Sequence, residues 1–129
     1  MSLSVQIVTP AAVAWQGTVD EVQAPGLNGE FGALEGHALL LSATRAGVVT
    51  LHQKGGLTRF LVGRGFAEVS SSSVTLLVDL CEPHSAVDKA AAAKALADAT
   101  NRLTAAAPDS VEWLEAQAAV ELATARIDA

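Results

Sequence analysis

The hydrophobic rhythm of this chain changes once, near residue 85, and that change limits the fold more than any other feature. Before it, apolar residues recur at every second position and glycines interrupt them; after it, glycine is absent and alanine takes over. Period 2 belongs to a strand with one buried face, and a period near 3.6 belongs to a helix. Leu3, Val5 and Ile7 alternate with Ser4, Gln6 and Val8, which predicts a half-buried strand ended by Thr9-Pro10. Residues 18–24 predict another, with Val19 and Val22 inward and a stop at Pro25-Gly26. Residues 47–53 and 57–63 predict a hairpin turning through Gly55-Gly56, because glycine supplies the positive φ of a tight turn. Residues 66–70 and 74–79 predict a second hairpin around the serine run. Short strands with a turn every eight to twelve residues or so indicate a β-sandwich or barrel over residues 1–85.

Residues 86–129 predict a pair of helices. Ser85 and Asp88 have the spacing of a capping box, and Pro108 stops the first helix near Ala107. Asp109 and Glu112 repeat the capping arrangement for a second helix. Ala92, Leu96, Ala99 and Leu103 form one stripe; Trp113, Ala116, Val120, Ala123 and Ile127 form the other. Together they predict an antiparallel helical hairpin with a narrow seam. A seam made mostly of alanine buries little area, so the hairpin is expected to be the more mobile half.

Composition narrows the function classes. The net charge of −6 opposes nucleic acid and anionic lipid as partners, since both need a basic footprint, and leaves proteins with neutral or basic surfaces. One cysteine, Cys81, excludes an intramolecular disulfide and a cysteine-based zinc site. His37, His52 and His84 lie far apart with no ligand spacing, so no metal or other cofactor is expected. No serine follows a nucleophile-elbow pattern, and Cys81 has no basic neighbour beyond His84, so an enzyme is not expected. The opening residues carry no basic stretch followed by an apolar one, and Lys and Arg are absent from the first forty positions. That predicts neither a signal peptide nor a mitochondrial presequence.

The segment Ala24-Pro25-Gly26-Leu27-Asn28-Gly29-Glu30-Phe31-Gly32-Ala33-Leu34-Glu35-Gly36-His37-Ala38 resembles the signature A-P-G-x-x-G-E-F-G-x-L-x-G-H-A-P-L of ATP synthase epsilon subunits. Gly63-Arg64-Gly65-Phe66-Ala67-Glu68-Val69 is similar to that family's S-G-G-F-A-E-V, and Val74-Thr75-Leu76-Leu77-Val78-Asp79 to its V-T-V-L-A-D. The resemblance covers the whole β half. Over the helical half it lies only in length, alanine content and placement. Leu39 departs from the pattern's proline, which predicts a looser loop; Arg64 replaces its first glycine and places a cation beside the hairpin.

The resemblance implies a ten-stranded β-sandwich followed by a two-helix hairpin. It also implies a non-catalytic subunit of the central stalk, peripheral to the cytoplasmic face of a bacterial inner membrane. In that family the sandwich docks on the gamma subunit and on the polar loops of the c-ring, coupling proton flow to rotation. The hairpin lies down or extends toward the alpha and beta subunits, restraining ATP hydrolysis. By position, His37 is implied to contact gamma and Glu30 to meet a c-ring loop, with Phe31, Gly36 and Leu39 completing the contact loop. The plainer alternative is that Gly29, Gly32 and Gly36 build a tight turn with solvated polar groups, and that Phe31 and Leu34 are sandwich core.

Some relatives sense ATP through I/L-D-x-x-R-A at the start of the first helix. Here Val87-Asp88-Lys89-Ala90-Ala91-Ala92 keeps the aspartate but puts Ala91 in the arginine's place, removing the planar fork that grips phosphate. Asp88 and Arg126 remain the candidate regulatory residues for this second reading, a nucleotide-sensing subunit. Glu112, Glu115 and Glu121, answered only by Arg126, predict a solvated acidic face and at most weak braking against acidic partner segments.

Overall fold

The computed structural model describes residues 2–129; Met1 lies outside them. Ten strands form one continuous sheet, in the order β10-β7-β6-β3-β5-β8-β9-β1-β2 with β4 paired to β3. The strands are β1 (Leu3–Val8), β2 (Val13–Val19), β3 (Glu21–Gly26), β4 (Gly29–Leu34), β5 (Leu40–Thr44), β6 (Gly47–Gln53), β7 (Gly56–Val62), β8 (Gly65–Val69), β9 (Ser73–Val78) and β10 (Cys81–Pro83). A 3-10 turn at His84–Ala86 leads into α1 (Lys89–Ala105) and α2 (Val111–Asp128). A β-sandwich followed by a helical hairpin, the expected class, is the architecture found.

The alternation read from β1 is the burial pattern observed. Leu3, Val5 and Ile7 are fully buried and pack with Val22, Ala24, Val49, Leu51, Val69, Val74 and Leu76 in one core. A single fully buried Leu or Val side chain contributes about 1.5–3 kcal/mol, so this inward face carries the fold.

Several local expectations are corrected. Residues 18–24 are not one strand: β2 ends at Val19, Asp20 makes a bend, and β3 begins at Glu21. Pro25 and Gly26 do not end that strand but belong to it, opposite Glu30 and Gly29 of β4. Pro25 has no N–H to give a ladder. Just there β3, which pairs with β6 through Gln23, changes neighbour and meets β5 at Gly26 opposite Thr44. The Pro25 carbonyl accepts from the Arg45 N–H at 3.0 Å, and the Leu27 N–H donates to the Ala43 carbonyl at 2.9 Å. This hand-over lets one sheet fold back on itself into two layers.

The segment read as a contact loop contains β4, a strand whose Phe31 packs half-buried against the core while Leu34 points outward. Leu34 is therefore not core: inward Ala33 sets the phase. The β6–β7 turn uses Lys54 and Gly55, with positive φ at Gly55 only; Gly56 opens β7. Asp88, not Ser85, caps α1, its Oδ1 accepting from the Ala91 N–H at 3.0 Å. Ser110, not Asp109, caps α2 by accepting from the Trp113 N–H at 3.2 Å, while Asp109 takes a left-handed φ of 64° in the connection. Such a conformation is tolerated by Asp better than by most residues. Both predicted stripes face each other across the hairpin, with Ala92, Ala99, Ala116 and Ala123 buried.

Gly65 sits where two backbones come closest, because a Cβ there would overlap the Leu77 carbonyl on β9. Gly56 has open space at the same position. Gly65→Ala is expected to cost about 1–3 kcal/mol or more, and Gly56→Ala no more than about 0.5 kcal/mol. Urea unfolding midpoints of the two variants check this.

Candidate functional site

The residues singled out from the sequence fall into three places rather than one. Glu30 stands near the turn end of β4, opposite Pro25. It lines a cleft of about 430 Å³ between sandwich and hairpin, together with Arg45, Gly47 and Val48 on one side and Thr124 and Asp128 of α2 on the other. At about 3.3 Å per residue, the strand carries the chain away from Glu30 before the turn that holds Gly36, His37 and Leu39. Glu30 and His37 thus lie toward opposite ends of β4, not in one loop.

At the far end, Gly36 takes a positive φ of 88° and donates its N–H to Ser71 at 2.7 Å, tying the loop to the β8–β9 turn. The His37 N–H donates to the Leu34 carbonyl at 3.1 Å, and Nδ1 lies 2.6 Å from the Ala38 carbonyl. A carbonyl can only accept, so the proton sits on Nδ1. Leu39 follows with 80% of its surface exposed.

Leu39 opens onto a surface that local sequence pattern does not single out. Along β5, Leu41 and Ala43 continue on the outer face. Ala43 stands opposite Phe66 of β8, Phe66 opposite Leu77 of β9, Leu77 opposite Val8 of β1, and Val8 opposite Val13 of β2. Cross-strand partners sit about 4.5–5.5 Å apart at Cβ, so this row is one continuous apolar band. Leu41, Phe66 and Leu77 are 73%, 56% and 49% exposed. The clue was available in phase: Ala67 and Val69 occupy the inward positions of β8, which sends Phe66 to the outer face where polar residues ordinarily stand.

The third place is the hairpin's contact with the sandwich. Glu121 does not belong to a solvated face as expected. Arg64, in the β7–β8 turn, donates to it twice, Nε to Oε2 at 2.8 Å and Nη2 to Oε1 at 2.9 Å, and the Ala46 N–H donates at 3.0 Å. The Arg64 hydrogen bonds hold the Glu121 carboxyl below the usual carboxylate range, against the opposing effect of burial; the Ala46 N–H and the charges of Arg64 and Arg45 add to the lowering. Arg126 donates to Glu82 of β10, Nε to Oε1 at 3.0 Å and Nη2 to Oε2 at 3.4 Å. Asp88 is engaged in capping α1. The two residues named for nucleotide sensing thus each have a partner of their own.

The histidines stay separate: His52 Nε2 lies 3.2 Å from Gln23 Oε1 and 3.5 Å from Glu21, and His84 is in the 3-10 turn. Cys81 is partly buried, and burial with the nearby Glu82 charge pushes its thiol pKa up, away from the reactive thiolate.

Residues 2–84 match the family model for the β-sandwich domain of the ATP synthase Delta/Epsilon chain. An ATP synthase epsilon chain from Synechococcus sp. (strain JA-2-3B'a(2-13)) is 38% identical over all of this chain and 93% of its own length. One from Synechococcus sp. (strain WH7803) is 34% identical over all of this chain and 96% of its own. Among solved structures, a chain of the Euglena gracilis mitochondrial ATP synthase OSCP/F1/c-ring assembly superposes with a TM-score of 0.83 at 20% identity, covering 96% of this chain and 78% of that one, a likeness of fold.

A carboxyl whose pKa is lowered in the folded state stabilises that state above its unfolded pKa and loses the contribution as pH falls through the folded value. Glu121 should therefore support hairpin docking fully at neutral pH and lose that support only as the pH falls beneath the ordinary carboxylate range and through its lower folded value. An NMR titration of the Ala46 amide, whose N–H Glu121 accepts, should report this step, and Glu121→Gln should abolish it.

Proposed function

This chain belongs to the family of ATP synthase epsilon chains, and we propose from that membership that it is a non-catalytic subunit of the F1 central stalk, docking on gamma and the c-ring to couple rotation to ATP synthesis. The observation that carries the docking role is the outer apolar band. Phe66 and Leu77 stand exposed side by side on a sheet face, with exposed Leu41 diagonal to Phe66, and contiguous apolar patches on soluble chains mark protein contacts. We assign this band, extended through Leu39 and the His37 loop, to gamma. A net charge of −6 fits a protein partner with neutral or basic surfaces. Glu30, at the other end of β4, remains the residue assigned to a c-ring loop, where its carboxylate would pair with a basic group.

In this reading residues 1–85 form the docking unit and residues 86–129 a hairpin with at most a weak brake on hydrolysis. Glu112 and Glu115 stay exposed on α2, so the helix offers negative charge to acidic partner segments. Membrane association then comes through the complex, at the cytoplasmic face of a bacterial inner membrane. No helix among the described residues is long and apolar enough to cross a bilayer. The non-catalytic assignment is supported by the separation of the histidines and by the raised thiol of Cys81. The nucleotide-sensing alternative is disfavoured by the engagement of Arg126 with Glu82 and of Asp88 with the α1 N-terminus.

Calorimetric titration with the purified cognate gamma subunit tests both levels. Micromolar binding is expected, and combined Phe66→Ser and Leu77→Ser should weaken it at least about tenfold, roughly 1.4 kcal/mol. Because both side chains are exposed, the unfolding midpoint should move little. No binding by the unmodified chain would remove the stalk role; undiminished binding by the double variant would move the docking face elsewhere.

A further inference from the structure

The helical hairpin is joined to the sandwich by charge in an arrangement that has a direction. On α2, Glu121 is negative and Arg126 positive; on the sandwich, their partners Arg64 and Glu82 are positive and negative. The two helical charges are about 7.5 Å apart along the axis at about 1.5 Å per residue. Reversing the helix on this surface would bring like charges together at both points, and a slide of one turn would part both pairs. The pairing therefore selects one docked register. Both pairs are partly sheltered, with side chains 27–47% exposed, and both are two-pronged arginine–carboxylate contacts, the geometry in which such pairs are strongest.

The buried alanines of the hairpin, Ala92, Ala99, Ala116 and Ala123, follow the stripes by which α1 and α2 face each other. Arg64 is also a departure of this chain, standing where the resembled pattern has glycine. Nothing in the sandwich core requires an arginine there, since its side chain leaves the β7–β8 turn toward α2.

We propose that Arg64–Glu121 and Arg126–Glu82 form a two-point charge clasp that sets the balance between a docked and a released hairpin, making that balance a function of ionic strength. Salt shortens the screening length from about 10 Å at 0.1 M to about 3 Å at 1 M, enough to weaken pairs as exposed as these. Release uncovers Arg64, Arg45 and the Ala46 N–H, which surround the Glu121 carboxylate while the clasp is closed. The device is internal to the chain and does not depend on gamma docking, so it can be tested on the isolated full-length protein.

The Ala46 amide is a built-in reporter, because its N–H is held by Glu121 at 3.0 Å only while α2 is docked. Hydrogen exchange followed by NMR should find that Ala46 exchanges roughly five- to tenfold faster in 1 M than in 0.05 M sodium chloride, while Leu51, in the core of β6, keeps its protection. Glu82→Arg, which places like charges opposite Arg126, should accelerate Ala46 exchange at low salt, and adding Arg126→Glu should restore it. Equal Ala46 protection at both ionic strengths would overturn the clasp. So would a loss in Glu82→Arg that the reciprocal exchange leaves unrepaired while Leu51 remains protected. Should either variant lose Leu51 protection as well, the salt comparison on the unmodified chain decides alone.

Discussion

The change of neighbour at Pro25 and Gly26 is the constraint on which the rest of this structure depends. β3 is paired with β6 up to Gln23 and bridges to β5 at Gly26, so a single strand belongs to both layers of the sandwich. Proline suits the crossing because a missing N–H forfeits no ladder bond there. Glycine suits it because a Cβ at residue 26 would come within 2.5 Å of the Gly29 carbonyl and press on the Phe31 ring. From this point follow the inward face that holds Leu51, Val69 and Leu76 together, and the position of Arg45 and Ala46 beneath α2.

The same sheet yields two surfaces of opposite character. Its outer face over β5, β8, β9, β1 and β2 carries an apolar band suited to a protein partner, while the β5–β6 and β7–β8 turns bring Arg45, Ala46 and Arg64 to the hairpin. A cleft bordered by Leu27, Phe66, Arg64 and Glu121 joins the two. Under the proposed function, one side of the sandwich meets the stalk while an adjoining edge governs where the hairpin rests. Apolar burial supplies adhesion without direction at the first, and oppositely ordered charges supply direction with modest energy at the second.

How far the sequence could be read depended on the range of the interaction involved. β1 was legible because Leu3, Val5 and Ile7 alternate without interruption, and the hairpin because alanine and leucine recur at helical spacing up to Pro108. β4 was not, because Gly29 and Gly32 read as loop residues; its strand conformation comes from pairing along the length of β3. Leu34 was misplaced for a related reason, since Ala33 is the smaller residue yet occupies the inward phase. At the helix starts, several residues able to cap stand close together, and only the backbone path selected Asp88 and Ser110. Glu121 read as solvated because its partner Arg64 lies 57 positions away.

By itself, the sequence determined the two-part architecture, the inward residues of the clearly alternating strands and, through the loop signature, the family. Those properties are written in local periodicity and in glycine and proline placement, which act within a few residues and survive reading in one dimension. Only the tertiary structure decided that Glu30 and His37 lie toward opposite ends of a strand, that Ala43, Phe66, Leu77 and Val8 line up across four strands, and that Glu121 meets Arg64. Each of those depends on which strands become neighbours. That is settled by packing the whole core, because the pairings join residues distant in the chain and no local pattern records them.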